Sequence, residues 1–218
     1  TQWPLDLTIT LCDAHDVLPA AAAYGRWLRG ELPLEHLLSR DFGNQQPPLF
    51  PTLQLLYYIL TDSYRGVVLF NLLPSTIITV VAFDVLARRY SWPVGVLAVV
   101  LMWSFPTLRY QLLFRVGIEM TLAALVTLCL ATLLHSDGLR RRRHALLLGA
   151  WVALAALTKT TFVLHLALPL LYLLVRVLRA PDRGRRLVNA ALAAAVVAAL
   201  ALPWYVANVA LLLRYGRG

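Results

Sequence analysis

The feature that most limits what this chain can fold into is its succession of apolar runs, each about 20 residues long, from Gly66 onward. A run of that length is what an α-helix needs to cross the roughly 30 Å hydrocarbon core of a bilayer. In hydrocarbon, only a helix or a closed barrel keeps every backbone N–H and C=O paired. The apolar stretches predict spans over 66–87, 92–107, 117–135, 144–158, 161–178 and 187–205. The fourth is short and draws on flanking residues, and the last continues past Pro203 as a kinked helix to Leu213. Composition agrees, since 60% of residues are hydrophobic and 14% charged, where a water-soluble domain carries about a quarter charged. The expected fold is therefore all-α: a polytopic integral membrane protein with about six transmembrane helices in 66–218. A polar segment, 1–65, precedes them.

The net charge of +9 is distributed in a way that argues against nucleic acid as a partner. No aromatic-rich basic face accompanies the charge. Eleven arginines instead gather on one side of the predicted topology: Arg88, Arg89, Arg140 to Arg143, Arg176, Arg179, Arg183, Arg185 and Arg186. Short basic connections of this kind mark the cytoplasmic side. The opposite side carries 1–65, the 108–116 loop with Glu119 after it, Lys159 and the C-terminal end, with nine basic residues against eight acidic ones. The first loop is thus expected to be extracytoplasmic, with a bacterial inner membrane as the expected setting. Cys12 and Cys129 fall in a polar loop and an apolar run, a pairing that offers no disulfide framework. Thr1 opens without Met or a signal-peptide pattern, and Arg214 to Gly218 follow an apolar run with no closing element, so the sequence reads as part of a longer protein.

Within 1–65, Val17 to Arg29 places Val17, Ala20, Ala21, Tyr24, Trp27 and Leu28 on one helical stripe. Such a helix would lie on the membrane surface with Arg26 and Arg29 reaching headgroups. Pro47 and Pro48 open a second segment, Leu49 to Leu60, which fits either a short first span or an interfacial helix. Asp13, His15 and Asp16 precede the first of these helices. Asp16 suits an N-cap with Asp13 at the entering turn, and it equally suits chemistry. His15 between two carboxylates could join a metal or acid–base cluster, although that spacing is common.

The acidic residues further on divide in the same way. Asp84 has Arg88 four residues later as a helical partner, and Asp137 and Asp182 lie in basic loops where a structural role suffices. Glu119 opens the span 117–135, where a carboxylate either favours the positive helix end or serves a site. Lys159 falls at the junction of two apolar runs in WVALAALTKTTF. A lone ammonium there either snorkels to the interface or meets an anion. With Arg115 on the same side, the anion could be a lipid-linked phosphate.

Five ordered segments carry a resemblance. An outer Asp followed by a helix ending in W-L-R-G and then P-P-L-F resembles the first extracytoplasmic loop of the GT-C glycosyltransferases. The similarity is to the glycosyltransferase 39, or PMT-like, branch, which includes the protein mannosyltransferases and aminoarabinose transferases. VAFDVLARRYSWPVGVLAVVL is similar to that family's L-A-R-R segment, and RVGIEMTLAALVTL to its second outer loop. LLLGAWVALAALTKTTFVL resembles its helix closing in L-T-K, and ALPWYVANVALLLRYG its P-W-Y turn.

The resemblance implies a membrane enzyme that takes a sugar from a polyprenyl-phosphate donor and transfers it, with inversion, to an acceptor hydroxyl on the extracytoplasmic face. It implies Asp16 as general base with Asp13 in support, Glu119 as the second acidic position, and Lys159 with Arg115 at the donor phosphate. Membrane lipids are the other implied partners. No cofactor is assigned, and a divalent metal stays open without a ligand set. Three features depart from the family pattern. Gln46 stands where relatives often carry a basic residue or histidine, Asp16-Val17 replaces an acidic pair, and the first transmembrane helix and C-terminal half are absent from this sequence. These departures motivate an alternative from another class: a non-catalytic GT-C-derived membrane subunit packed among other subunits of a larger complex.

Overall fold

The computed structural model describes residues 30–31, 49, 52–53, 72–108 and 118–209. Among them there are six long helices and no strand: α1 (Leu72–Arg89), α2 (Trp92–Ser104), α3 (Ile118–His135), α4 (Arg142–Ala156), α5 (Phe162–Arg179) and α6 (Arg183–Ala207). Each coincides with a predicted span. Three of them, α3, α5 and α6, are long and apolar enough to cross a membrane on their own, while α2 is a shorter apolar helix. The protein is an all-helical, polytopic integral membrane protein. Of the interfacial helices expected in 1–65, Val17 to Arg29 lies outside the described residues, and Leu49 to Leu60 is described only at Leu49, Thr52 and Leu53, all three helical; Leu213 lies outside as well.

The boundaries that differ from expectation have local causes. α2 stops at Ser104 instead of running to 107 because Phe105 precedes Pro106. A residue before proline is pushed out of the α region, and Phe105 is extended at φ −70°, ψ 119°. α6 begins at Arg183, earlier than the apolar run, because Asp182 accepts from Arg186 Nε at 2.6 Å and closes the first turn. It runs through Pro203 to Ala207.

α1 and α2 form a tight antiparallel hairpin. A Cβ at Gly95 would sit 3.0 Å from the Phe83 ring and 3.1 Å from Ala87 Cβ, so only glycine lets the helices approach this closely. Trp103 Nε1 donates to Thr79 Oγ1 at 2.9 Å near the far end of the pair. α4 and α6 run parallel and even closer. Gly149 faces Ala193 and Val196, and Tyr205 of α6 reaches Ala156 at the end of α4. Small residues are how membrane helices gain dispersion contacts, since lipid tails are as apolar as leucine and no hydrophobic drive brings the helices together. The main core gathers Leu122, Leu125 and Cys129 of α3, Leu148 and Val152 of α4, and Leu166, Leu173 and Val177 of α5. α5 turns Leu164 and Leu168 outward at 78% and 76% exposure, an outer face suited to hydrocarbon.

The turn between α3 and α4 is built from three consecutive left-handed residues: Asp137 (φ 46°), Gly138 (φ 67°) and Leu139 (φ 61°). Such a run costs about 1 kcal/mol or more for each non-glycine residue, so it needs outside support. Arg186 Nη1 donates to Asp137 O and Gly138 O, and Asn189 Nδ2 donates to Leu139 O at 2.7 Å. Arg176 of α5 adds an ion pair to Asp137 at 3.2 Å. These links bind the α3–α4 turn to the α5–α6 turn and collect nine of the arginines at one end of the bundle. The Asp84–Arg88 pair expected from the sequence forms at 2.7 Å.

Candidate functional site

The opposite end of the α3–α6 bundle holds the polar residues of interest. α3 enters its first turn with Ile118, Met120 and Leu122 buried against the core. Glu119, between them, is left as the one carboxylate of that turn, 48% exposed. α4 ends at Ala156, and its last carbonyls are taken up in three ways. Lys159 N–H donates to Ala155 O at 3.1 Å, Tyr205 OH to Ala156 O at 2.9 Å, and Leu49 N–H to Leu157 O at 2.9 Å. Thr158 is fully buried, with its hydroxyl returned to Leu154 O at 2.7 Å. Lys159 therefore leaves a braced turn, and its Nζ meets Glu119 Oε1 at 2.7 Å.

Lys159 and Glu119 are 40 residues apart in sequence, and each stands out there for separate reasons. The structure brings them together. Both charges also suit the helix ends they occupy, the carboxylate at the start of α3 and the ammonium just past the end of α4. With Lys159 29% and Glu119 48% exposed, the pair contributes about 0–1 kcal/mol to stability. An interaction so weak leaves the lysine able to exchange its carboxylate for another anion at little cost.

Three neighbours were not legible from the sequence. Tyr205 caps α4 through its hydroxyl, Leu49 docks by its backbone N–H and packs its side chain against the core, and Thr121 buries a hydroxyl that has no hydrogen-bond partner among the described residues. The P-W-Y motif pointed towards Tyr205 and the P-P-L-F segment towards Leu49, but neither motif told of the contacts they make. Leu49 also places one residue of the P-P-L-F segment at the Lys159 end of the bundle. Asp13, His15, Asp16, Gln46 and Arg115 lie outside the described residues. Among the described residues, no three His, Cys, Asp or Glu side chains stand together as a candidate metal site.

Residues 45–207 match the sequence profile of a family described as dolichyl-phosphate-mannose-protein mannosyltransferase. The chain belongs to that family. As a member of the mannosyltransferase family it is a membrane glycosyltransferase of the GT-C type. The match takes in the P-P-L-F segment, all six helices, Glu119 and Lys159, and it starts after Asp13 and Asp16. No curated protein and no solved structure matches the mannosyltransferase-family chain.

Proposed function

We propose that this glycosyltransferase moves a sugar from a polyprenyl-phosphate donor to an acceptor hydroxyl at the extracytoplasmic face, with inversion at the anomeric carbon. The observation that carries the reading is the Lys159–Glu119 pair at 2.7 Å, set at the helix ends beside the docked Leu49. In the proposed step Asp16 takes the proton of the acceptor hydroxyl, whose oxygen attacks the anomeric carbon. The bond from that carbon to the phosphate oxygen breaks, and polyprenyl phosphate departs. Lys159, with Arg115, neutralises the charge that grows on the leaving phosphate. Glu119 assists by holding the Lys159 ammonium at the membrane edge until the donor phosphate takes its place. The arginine-rich end faces the cytoplasm in this arrangement, which follows from the concentration of arginine in its short turns.

The test is transfer from a polyprenyl-phosphate sugar by the full-length protein in membranes. Asp16→Asn is expected to abolish transfer and leave donor binding intact. Lys159→Met is expected to weaken donor binding, with a rise in KM for the lipid donor. Unchanged transfer in Asp16→Asn overturns the assignment of the base. A wild-type protein that binds no polyprenyl phosphate and co-purifies as a stable complex would establish the non-catalytic subunit instead.

A further inference from the structure

The arginine end carries more charge than topology and the observed ion pairs use. Nine arginines gather there against two carboxylates, Asp137 and Asp182. Both carboxylates are engaged, Asp137 by Arg176 and Arg186 and Asp182 by Arg186. Arg140 to Arg143, Arg179, Arg183 and Arg185 have no ion-pair partner among the described residues. All seven are exposed, and the clasp on the α3–α4 turn holds their two turns side by side. Like charges packed this closely repel one another, and an anion drawn among them relieves that repulsion.

A second feature begins at the same end. A groove of about 650 Å³ runs between α5 and α6 with α4 as its floor, from Leu139 and Ala190 up to Phe162 and Tyr205. It is lined almost wholly by carbon, and small residues such as Ala194 and Ala198 of α6 shape one wall. Helical register continues the α4 floor and the α6 wall into arginine. On α4, Arg142 lies seven residues before Gly149. On α6, Arg183 lies seven residues before Ala190. Because α4 and α6 run parallel, both positions fall at the Leu139–Ala190 end of the groove.

We infer that this end of the protein is a binding site for an anionic phospholipid, with the phosphate headgroup between Arg142 and Arg183 and an acyl chain in the α4–α5–α6 groove. Charge complementarity selects the occupant. The groove by itself would accept any hydrocarbon, but the free arginines at its mouth require an anion joined to that hydrocarbon. The site lies at the opposite end of the bundle from Lys159 and is independent of the proposed transfer reaction.

The experiment is native mass spectrometry of the purified chain, released from detergent after incubation with phosphatidylglycerol, phosphatidylcholine or inorganic phosphate. Retention of phosphatidylglycerol over the other two is the expected result. Arg142→Gln with Arg183→Gln is expected to cut that retention about thirtyfold, from about 1 kcal/mol for each arginine at an anionic headgroup. Ala194→Phe, which fills the groove and leaves the charges in place, is expected to cut it too, and Lys159→Met to leave it unchanged. Equal retention of phosphatidylcholine overturns the headgroup assignment. Retention of inorganic phosphate that survives Ala194→Phe shows an anion site without a lipid. If polyprenyl phosphate displaces phosphatidylglycerol and Lys159→Met prevents this, the groove belongs to the donor tail and the inference fails.

Discussion

Gly149 separates two predictions that a sequence alone would merge. A Cβ placed there would lie 2.6 Å from Ala193 O, 2.9 Å from Val196 Cβ and 3.1 Å from Ala193 Cα. Carbon atoms sit comfortably at about 3.5–4.0 Å, so Gly149→Ala must move α4 and α6 apart by roughly 0.5–1 Å. A gap of that size forfeits about a quarter to a half of each dispersion contact it opens. Two of the three obstructing atoms belong to backbone and cannot rotate aside, which puts the overpacking cost in the upper part of the usual range, about 2–3 kcal/mol. Replacing a mid-helix glycine with alanine returns about 1 kcal/mol through helix propensity. The net effect is a loss of about 1–2 kcal/mol. Gly184, in the first turn of α6, has nothing within 4 Å of where an added Cβ would stand, so Gly184→Ala should be neutral or stabilising by up to about 1 kcal/mol. Thermal unfolding of the two variants in detergent, followed by size-exclusion chromatography, reads the difference. At about 2–4 °C per kcal/mol for a chain of this size, Gly149→Ala should lower the midpoint by about 2–8 °C. A midpoint for Gly149→Ala equal to or above that of Gly184→Ala would refute the close α4–α6 contact.

Two further predictions concern the arginine end. Asn189→Ala leaves the Leu139 carbonyl, on a residue 1% exposed, without its donor, and should cost about 1–3 kcal/mol. An unchanged unfolding midpoint would mean that water replaces the amide. The hydrogen bond from Arg186 holds the Asp182 carboxyl below the usual carboxylate range. A depressed folded value means that the contribution is complete above about pH 4 and is lost as pH falls through the folded value. Asp182→Asn should therefore lower stability slightly in the neutral region, converge on wild type in acid, and so flatten the acid limb of stability against pH. An acid limb identical to wild type would show that other carboxylates set it.

The helices were legible because hydrocarbon imposes one simple rule on sequence. Long apolar runs mark α3, α5 and α6, and the arginines beside them mark where the runs stop. The Asp84–Arg88 pair was legible because four residues make one helical turn. Glu119 and Lys159 each stood out as a charge at an apolar boundary, but their meeting depends on how α3 and α4 pack, which no local pattern encodes. The α3–α4 turn shows the same limit. Gly138 announces a change of direction, yet a leucine at φ 61° contradicts its own preference and is tolerated only because Asn189 and Arg186 arrive from a distant helix. Asp16 was reached through likeness to a family pattern, and it lies outside the described residues.

That clasp carries a consequence for biogenesis. The carbonyls of Asp137, Gly138 and Leu139 find their donors 48 to 50 residues later in the chain. At a synthesis rate of about 5–20 residues per second, the α3–α4 hairpin must wait roughly 2–10 s for α6 to be made. During that interval water at the membrane surface has to serve the exposed carbonyls, so the hairpin can enter the bilayer early but cannot take its final form. Completion of α6 is then the event that locks the earlier hairpin, and the order of assembly runs backwards along part of the chain.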